Sequence, residues 1–342
     1  MNILFTSVGR RDYILDYFKS LKGKNIKVYA VNSVANTTAM WKADKSFISP
    51  EIRSNEYIPF LLDISKREKI DLIISLFDLD TLFISFYKEK FEELGVKVLV
   101  SDLGIIENCL DKLKMSSWLN AHGFKTPKTF EDLSGAKKSL EINDVSFPLI
   151  LKPQWGQGSL STEIVSDQIE LESAYTFLNS KVRKTSIAHV EKLNYKNKIL
   201  IQEFIEGEEY GIDCINNLSG ENQAVVIKKK IAMRAGETDG ALTVYDDQIE
   251  STISNLGNKL KHISILDVDA INNESGVYII DMNPRFGGGY PFSHLAGVDL
   301  PRAIVDWVAT GFADKSLFSY QEGVLGLKGI AMVSKSEIIN EA

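Results

Sequence analysis

Short apolar runs alternate with amphipathic stretches through the first hundred residues. Asn2 to Ser7, Ile26 to Val31, Ile70 to Leu76 and Val96 to Val100 are nearly continuous in β-forming side chains, whereas Asp12 to Leu21 and Leu82 to Leu94 space their apolar residues as a helix does. Strands apolar on both faces and separated by helices predict a small, doubly wound parallel sheet. The pattern changes at Asp111. A helix is predicted over Lys112 to Ala121, ended by Gly123 at C′ and followed by Pro127. A strand from Phe147 to Lys152, a glycine loop, a strand from Thr162 to Val165 and a helix from Ile169 to about Leu178 follow, the helix with Asp167 as N-cap and Glu170 at N3. Residues 181 to 198 are basic and aperiodic, which predicts a solvated connection.

The last third reads mostly as strand: Ile199 to Phe204, Tyr210 to Ile215, Gln223 to Ile231, Ser264 to Ala270, Val277 to Asp281 and Leu327 to Val333. Helices are predicted over Gln248 to Leu260 and Pro301 to Thr310, the second with Asp299 as N-cap and Gly311 beyond its end. The expected architecture is α/β followed by α+β, in three units: 1–105, 106–200 and 201–342.

Composition narrows the function. Acidic residues outnumber basic ones, 46 to 39, for a net charge of −7, which argues against a nucleic acid partner. Cys109 and Cys214 form no CxxC pattern, so neither a disulfide framework nor a thiolate zinc site is expected, and a reducing cytoplasm is the natural compartment. The N-terminal apolar run is too short for a signal peptide, and Leu72 to Phe86 is broken by Asp78 and Asp80 below the roughly 20 residues a membrane span needs. The turn Ser7-Val8-Gly9-Arg10-Arg11 has one glycine where a dinucleotide fingerprint has three, and the second strand ends in Asn32 instead of an acid, so NAD is not expected. That turn either admits an anion, held by Arg10 or Arg11, or is a tight turn with two solvated arginines.

Four segments carry candidate chemistry. Lys152 ends an apolar strand and precedes Pro153-Gln154-Trp155-Gly156-Gln157-Gly158-Ser159, which suits phosphates through an ammonium and backbone N–H groups, or else is a hairpin turn; it lacks the GK[ST] ending of a P-loop. Gln202 to Tyr210 holds Glu203, Glu206, Glu208 and Glu209 around a bend, either acceptors for an amine and hydroxyls or an exposed turn. Asp281 and Asn283, two apart on a strand, point the same way and with Asp267 offer oxygen ligands to one hard cation such as Mg²⁺. Asn283-Pro284-Arg285-Phe286-Gly287-Gly288-Gly289 sets an arginine beside a donor-rich backbone. Lys228, Lys230 and Arg234 alternate onto one face, either a site for a γ-phosphate or a substrate carboxylate or a solvated strand edge, and Ala235 to Gly240 beside Arg234 reads as a lid. Of the histidines, His122 reads as a helix cap, His189 and His262 as exposed, and His294 as the one near substrate.

Together these segments resemble the ATP-grasp superfamily, and within it a single module of the large subunit of carbamoyl-phosphate synthase. The resemblance rests on Asp111-Lys112 opening a helix, Phe147 to Pro153 with its glycine loop, Gln202 to Tyr210, and Asp281-Met282-Asn283-Pro284-Arg285-Phe286-Gly287-Gly288, in that order, and covers nearly the whole chain. It implies a pre-ATP-grasp domain followed by two ATP-grasp lobes, and ATP with one or two Mg²⁺, or Mn²⁺, as cofactors. It further implies that Lys112 and Lys152 hold the α- and β-phosphates while the loop with Gln154, Gly156, Gly158 and Ser159 closes over them. Within Gln202-Glu203-Phe204-Ile205, Glu203 and the Ile205 backbone would meet adenine, and Glu209 the ribose. Asp267, Asp281 and Asn283 would bind the metal, where the family more often has Glu or Gln than Asp. Arg285 would stabilise the transferring phosphoryl group, with Arg234 as the second catalytic arginine. Gly287, Gly288, Gly289, Arg10, Asp80 and His294 would face the substrate. The implied activity is an ADP-forming carboxylate–amine ligase working through an acyl phosphate on small molecules. Carbamoyl-phosphate-type chemistry on bicarbonate and a non-catalytic ATP-binding module are the alternatives, and a homodimer through the N-terminal domain is the expected assembly.

Overall fold

The computed structural model describes residues 1–156, 161–182, 189–190, 195–196 and 198–334. The apolar runs of the first hundred residues become β1 (Asn2–Thr6), β2 (Lys27–Asn32), β3 (Lys45–Ile48), β4 (Leu72–Ser75) and β5 (Lys97–Val98), all parallel, in the order β3-β2-β1-β4-β5. Because Ile3, Leu4 and Phe5 make the centre of β1 apolar on both faces, it serves two cores. Ile3 and Phe5 pack with Ile14 and Phe18 of the helix Asp12–Lys19, and Leu4 packs with Tyr57 and Leu61 of the helix Tyr57–Arg67. The strand order reverses between β1 and β4, so the loops leaving their C-terminal ends open onto a crevice, the usual ligand position in such sheets.

A four-stranded antiparallel sheet follows, β6 (Thr129–Phe130), β7 (Leu149–Pro153), β8 (Glu163–Val165) and β11 (Ile199–Glu203), in the order β6-β11-β7-β8. Between β8 and β11 the short β9 (His189–Val190) and β10 (Tyr195–Lys196) pair with each other. The helices Leu133–Glu141 and Gln168–Val182 cover one face of this sheet. The second starts as a capping box: Glu170 N donates to Asp167 Oδ1 and Ser166 N to Glu170 Oε2.

The third sheet is antiparallel, in the order β16-β15-β12-β13-β14-β17, built from β12 (Glu208–Asn216), β13 (Asn222–Arg234), β14 (Glu237–Val244), β15 (Ser264–Asn273), β16 (Gly276–Asn283) and β17 (Leu325–Leu327). One face holds Met115 and Leu119 of the helix Lys112–Ala121 and Ile249, Ile253 and Leu256 of the helix Asp247–Leu260. On the other face Ile215, Val226 and Ile265 join Phe286, Tyr290, Ile304 and Trp307 in the same core as Ile3 and Phe5. The first and third sheets therefore share one hydrophobic core.

Several expectations need correction. The stretch Leu82 to Leu94 is two helices, Asp78–Phe86 and Lys88–Glu92, broken at Tyr87. The final strand spans only Leu325–Leu327 instead of running to Val333. Ala235 to Gly240 is not a lid: Ala235 and Gly236, both with positive φ, turn the β13–β14 hairpin, with Arg234 paired to Glu237, as a two-residue type I′ connection requires. β3 gives little signal because it is a short edge strand with mostly exposed side chains. No helix among the described residues is long and apolar enough to cross a membrane.

Candidate functional site

The site forms where the helix Lys112–Ala121, β7, the paired strands β15 and β16, and the crevice of the first sheet meet. Asp111 caps the helix, accepting from Leu113 N and Lys114 N, and Gln154 Nε2 holds the same carboxylate at 2.8 and 2.9 Å. Lys112, the first helical residue, is thereby fixed; its buried Nζ lies 3.2 Å from Asp281 Oδ1 and donates to Gly156 O at 3.0 Å. Lys152 reaches from β7 across to β16, donating to Ile280 O at 3.2 Å. Burial, and then the neighbouring Lys112, push its pKa down to about 8.

Register assembles the acidic residues. Asp267 on β15 stands opposite Asn283 on β16, and Asp269 opposite Asp281, so two alternate rungs, separated by Val268 and Met282, carry oxygen ligands on the same face. Burial raises the Asp281 pKa, but Lys112 and Lys152 outweigh it and hold the group below its ordinary value. Asp267 goes the other way: burial, then Asp269, push it up to about 7 against the pull of Arg285. Asp269 is paired with Lys230 at 2.8 Å, and Lys230 also meets Glu209 at 2.6 Å. Next along β13, the buried Lys228 pairs with the fully buried Asp213 at 2.5 Å and donates to Ser293 Oγ. Lys228 and Lys230 do share one face, and that face is internal. Among the described residues no three His, Cys, Asp or Glu side chains gather as a metal cluster, so any cation here would rest on two carboxylates and an amide.

Arg285 closes the site from the glycine-rich loop. Its guanidinium forks onto Asp78, with Nε 2.8 Å from Oδ1 and Nη2 donating to Oδ2 at 2.9 Å, and Nη1 lies 3.5 Å from Asp267 Oδ2. Asp78 begins the helix that follows β4, so the bond joins the first sheet to the rest of the site. One loop glycine is needed for approach: a Cβ on Gly287 would fall 2.1 Å from Asp267 Cγ, whereas one on Gly289 would meet Lys228 only at ordinary contact distance. A small cavity of about 40 Å³ opens beside this cluster, lined in part by Phe77, Asp78, Cys109, Lys112, Trp155 and Asp281.

The structure thus brings together Lys112, Lys152, Gly156, Asp267, Asp281, Asn283, Arg285 and Gly287 to Gly289, with Gln154 behind Lys112. Gly158 and Ser159 lie outside the described residues. Gln202 is buried and donates to Thr129 Oγ1, Glu203 accepts from Lys128 N, Phe204 is partly exposed and Ile205 is buried at the bend. Four residues stand apart. Arg10 is exposed; Arg234 sits at the hairpin tip, paired with Asp239. His294 stacks on Tyr17 and donates from Nδ1 to Val298 O, with Tyr290 Oη 3.4 Å from the same nitrogen. Asp80, fully buried, accepts hydroxyls from Thr6, Ser7, Tyr57 and Ser75, and burial raises its pKa despite all four; it fastens β1 to β4 beneath the crevice. His262, read as exposed, is fully buried. His122 is the C-cap, as expected, and the side chain of His189 lies outside the described residues. Asp78 and Asp269 were not assigned a role from the sequence, and Arg11 was named only as an alternative to Arg10; Asp78 carried one signal, an acid at the head of an apolar helix just after β4.

The sequence profile described as an ATP-grasp domain matches residues 109–289, more than half of the chain, and that of a PylC-like N-terminal domain matches residues 3–99. The chain belongs to the ATP-grasp family. Among solved structures, this ATP-grasp chain is similar to biotin carboxylase from Campylobacter jejuni, at 19% identity and a TM-score of 0.74 over 94% of this chain and 73% of that one. It is also similar to the biotin carboxylase domain of Hydrogenobacter thermophilus 2-oxoglutarate carboxylase, which was solved as a dimer with magnesium ADP and bicarbonate (16% identity, TM-score 0.73, 90% and 69% covered). A third neighbour is L-amino acid ligase from Bacillus licheniformis (18% identity, TM-score 0.69, 90% and 75% covered). These likenesses establish the fold, a parallel N-terminal sheet followed by the two ATP-grasp lobes, as expected from the sequence.

Proposed function

We propose that this ATP-grasp protein is an ADP-forming ligase that uses ATP and Mg²⁺ to join a small carboxylate to an amine through an acyl phosphate. The observation that carries the reading is the convergence of Lys112, Lys152, Asp281 and Arg285 on one seam. Phosphoryl transfer needs cations around the phosphates and two reactants held in line, and no protein nucleophile. The substrate carboxylate attacks the γ-phosphorus and ADP leaves; the amine then attacks the acyl carbon and phosphate leaves. Lys112 and Lys152 neutralise the α- and β-phosphates, and an anion beside Lys152 offsets the burial that lowers its pKa. Arg285 faces the group in transfer, with the loop from Gln154 toward Gly158 and Ser159 above it. Glu203 and the Ile205 backbone receive adenine and Glu209 the ribose.

The donor set fits Mg²⁺: Asp267, Asp281 and Asn283 offer hard oxygens on one face of β15 and β16, and the burial that, with Asp269, raises the Asp267 pKa would be offset by a bound cation. Bound there, the ion would neutralise charge on the phosphates. We take 1–105, 106–200 and 201–342 as the working units, a cytoplasmic location, and a homodimer through the first unit, the last supported by the dimeric neighbour.

Phosphate release from ATP and Mg²⁺ tests the reading, with pooled amino acids, small dicarboxylates, amino sugars and bicarbonate as acceptors and Asp281→Ala as the blank. One pool should stimulate the wild type at least tenfold over the variant, whose melting temperature without ligand stays close to wild type. Stimulation by bicarbonate alone would replace the reading with carboxyphosphate chemistry. Equal activity in Asp281→Ala would overturn the metal assignment, and ATP binding with no stimulation by any pool would make the chain a nucleotide-binding module.

A further inference from the structure

The arginine of the glycine-rich loop is aimed from another sheet. Arg285 Nε lies 2.8 Å from Asp78 Oδ1 and Nη2 donates to Asp78 Oδ2 at 2.9 Å, so a single carboxylate holds one whole edge of the guanidinium. Nη1 donates to Phe286 O at 3.1 Å and stands 3.5 Å from Asp267 Oδ2, at the outer limit of a hydrogen bond. Arg11, from the turn after β1, donates to the same Phe286 O at 2.7 Å and ties the loop to the first sheet a second time. Burial alone would lower the Arg285 pKa; Asp78, followed by Asp267, outweighs it and raises the group, which makes Asp78 the principal counter-ion.

Asp78 is itself firmly held. It opens the helix Asp78–Phe86, whose N-terminal end favours an anion, and Asp80 in the same turn accepts the hydroxyls of Thr6, Ser7, Tyr57 and Ser75. The carboxylate that competes with Asp78 for the arginine is Asp267. The loop carrying Arg285 lies directly on it, since a Cβ on Gly287 would fall 2.3 Å from Asp267 Oδ2. A buried guanidinium that loses one counter-ion is driven toward the next, and Asp267 already stands beside Nη1. A carboxylate forked by an arginine has its oxygens occupied and is a poor ligand for a cation.

We propose that Asp78 is a positioning residue: it holds Arg285 away from Asp267 and so leaves that carboxylate to Mg²⁺. The first sheet thereby sets the metal affinity of a site built on the third. The inference rests on the metal assignment in the ligase reading, and calorimetry of Mg²⁺ into the full chain with saturating ADP tests it without turnover. Asp78→Asn should raise the Mg²⁺ Kd about tenfold and Asp78→Glu by less, while ADP without metal binds both variants as it binds the wild type. Arg285→Met removes the competitor, so Asp78→Asn in that background should change the Mg²⁺ Kd by less than about twofold. A merely structural loss would carry over to the double variant unchanged. If Asp78→Asn shows no unfolding transition, the comparison is made with Asp78→Glu, alone and with Arg285→Met, and a rise of about threefold is expected in the first and none in the second. An unchanged Mg²⁺ Kd in the Asp78 variants, or an equal rise in the Arg285→Met background, would overturn the proposal and leave the metal assignment standing. Failure of Mg²⁺ to bind the wild type with ADP would overturn the assignment and the proposal together.

Discussion

Acidification should weaken this protein through His262. The imidazole is fully buried, its Nε2 3.0 Å from Cys214 O and its Nδ1 3.4 Å from Asn216 Nδ2. A carbonyl only accepts, so Nε2 carries the proton and Nδ1 accepts from the amide; a second proton on Nδ1 would set donor against donor. Burial lowers the pKa to about 4, with the Cys214 bond working the other way. In the unfolded chain the value returns to about 6.5, so between the two the unfolded state binds a proton that the folded state refuses. Stability contributed by the neutral ring is complete above about pH 7 and falls with pH, by about 1 kcal/mol at pH 5.8 and about 2 kcal/mol at pH 5. Urea unfolding of wild type and His262→Gln at these three pH values isolates the effect, because other titrating groups are common to both. The variant should be the less stable at neutral pH, and the gap should narrow by about 2 kcal/mol at pH 5. A gap constant from pH 7 to pH 5 would refute the assignment of a buried, neutral imidazole.

Two further substitutions probe the region around the glycine loop. Asp213→Asn leaves the Lys228 ammonium buried without its counter-ion and should cost about 3–5 kcal/mol, read as a lowered urea midpoint; Asp213→Asn together with Lys228→Met should recover much of it. Gly287→Ala drives a methyl group into the Asp267 carboxylate, so the Mg²⁺-dependent part of the ATP thermal shift should disappear while the Mg²⁺-independent part remains.

What could be read from the sequence was local. Asp111, Gly123, Asp167, Asp299 and Gly311 announce helix ends because a cap is satisfied within a few residues of itself. Lys112, Lys152, Asp281 and Arg285 were legible because each sits in a short ordered motif. Asp269 became visible only through the register that sets it opposite Asp281. Asp78 and Arg11 depend on contacts spanning more than two hundred residues. His262 looked exposed between a lysine and an isoleucine; its burial is decided by Cys214 and Asn216 on a strand nearly fifty residues earlier.

The core shared by the first and third sheets also bears on how the chain is made. Ile3 and Phe5 lie in one cluster with Ile304 and Trp307 of the helix Leu300–Thr310, and that helix is tied to the first sheet's loops by Arg302 to Lys22 O and Lys24 to Asp306. During synthesis the first sheet emerges from the ribosome some three hundred residues ahead of the helix that completes one of its faces. At roughly 5–20 residues per second that face waits on the order of 15–60 seconds, exposed and adhesive. The nascent chain is therefore a natural client for chaperones that shield apolar surface, and translation speed between the two segments becomes a determinant of yield.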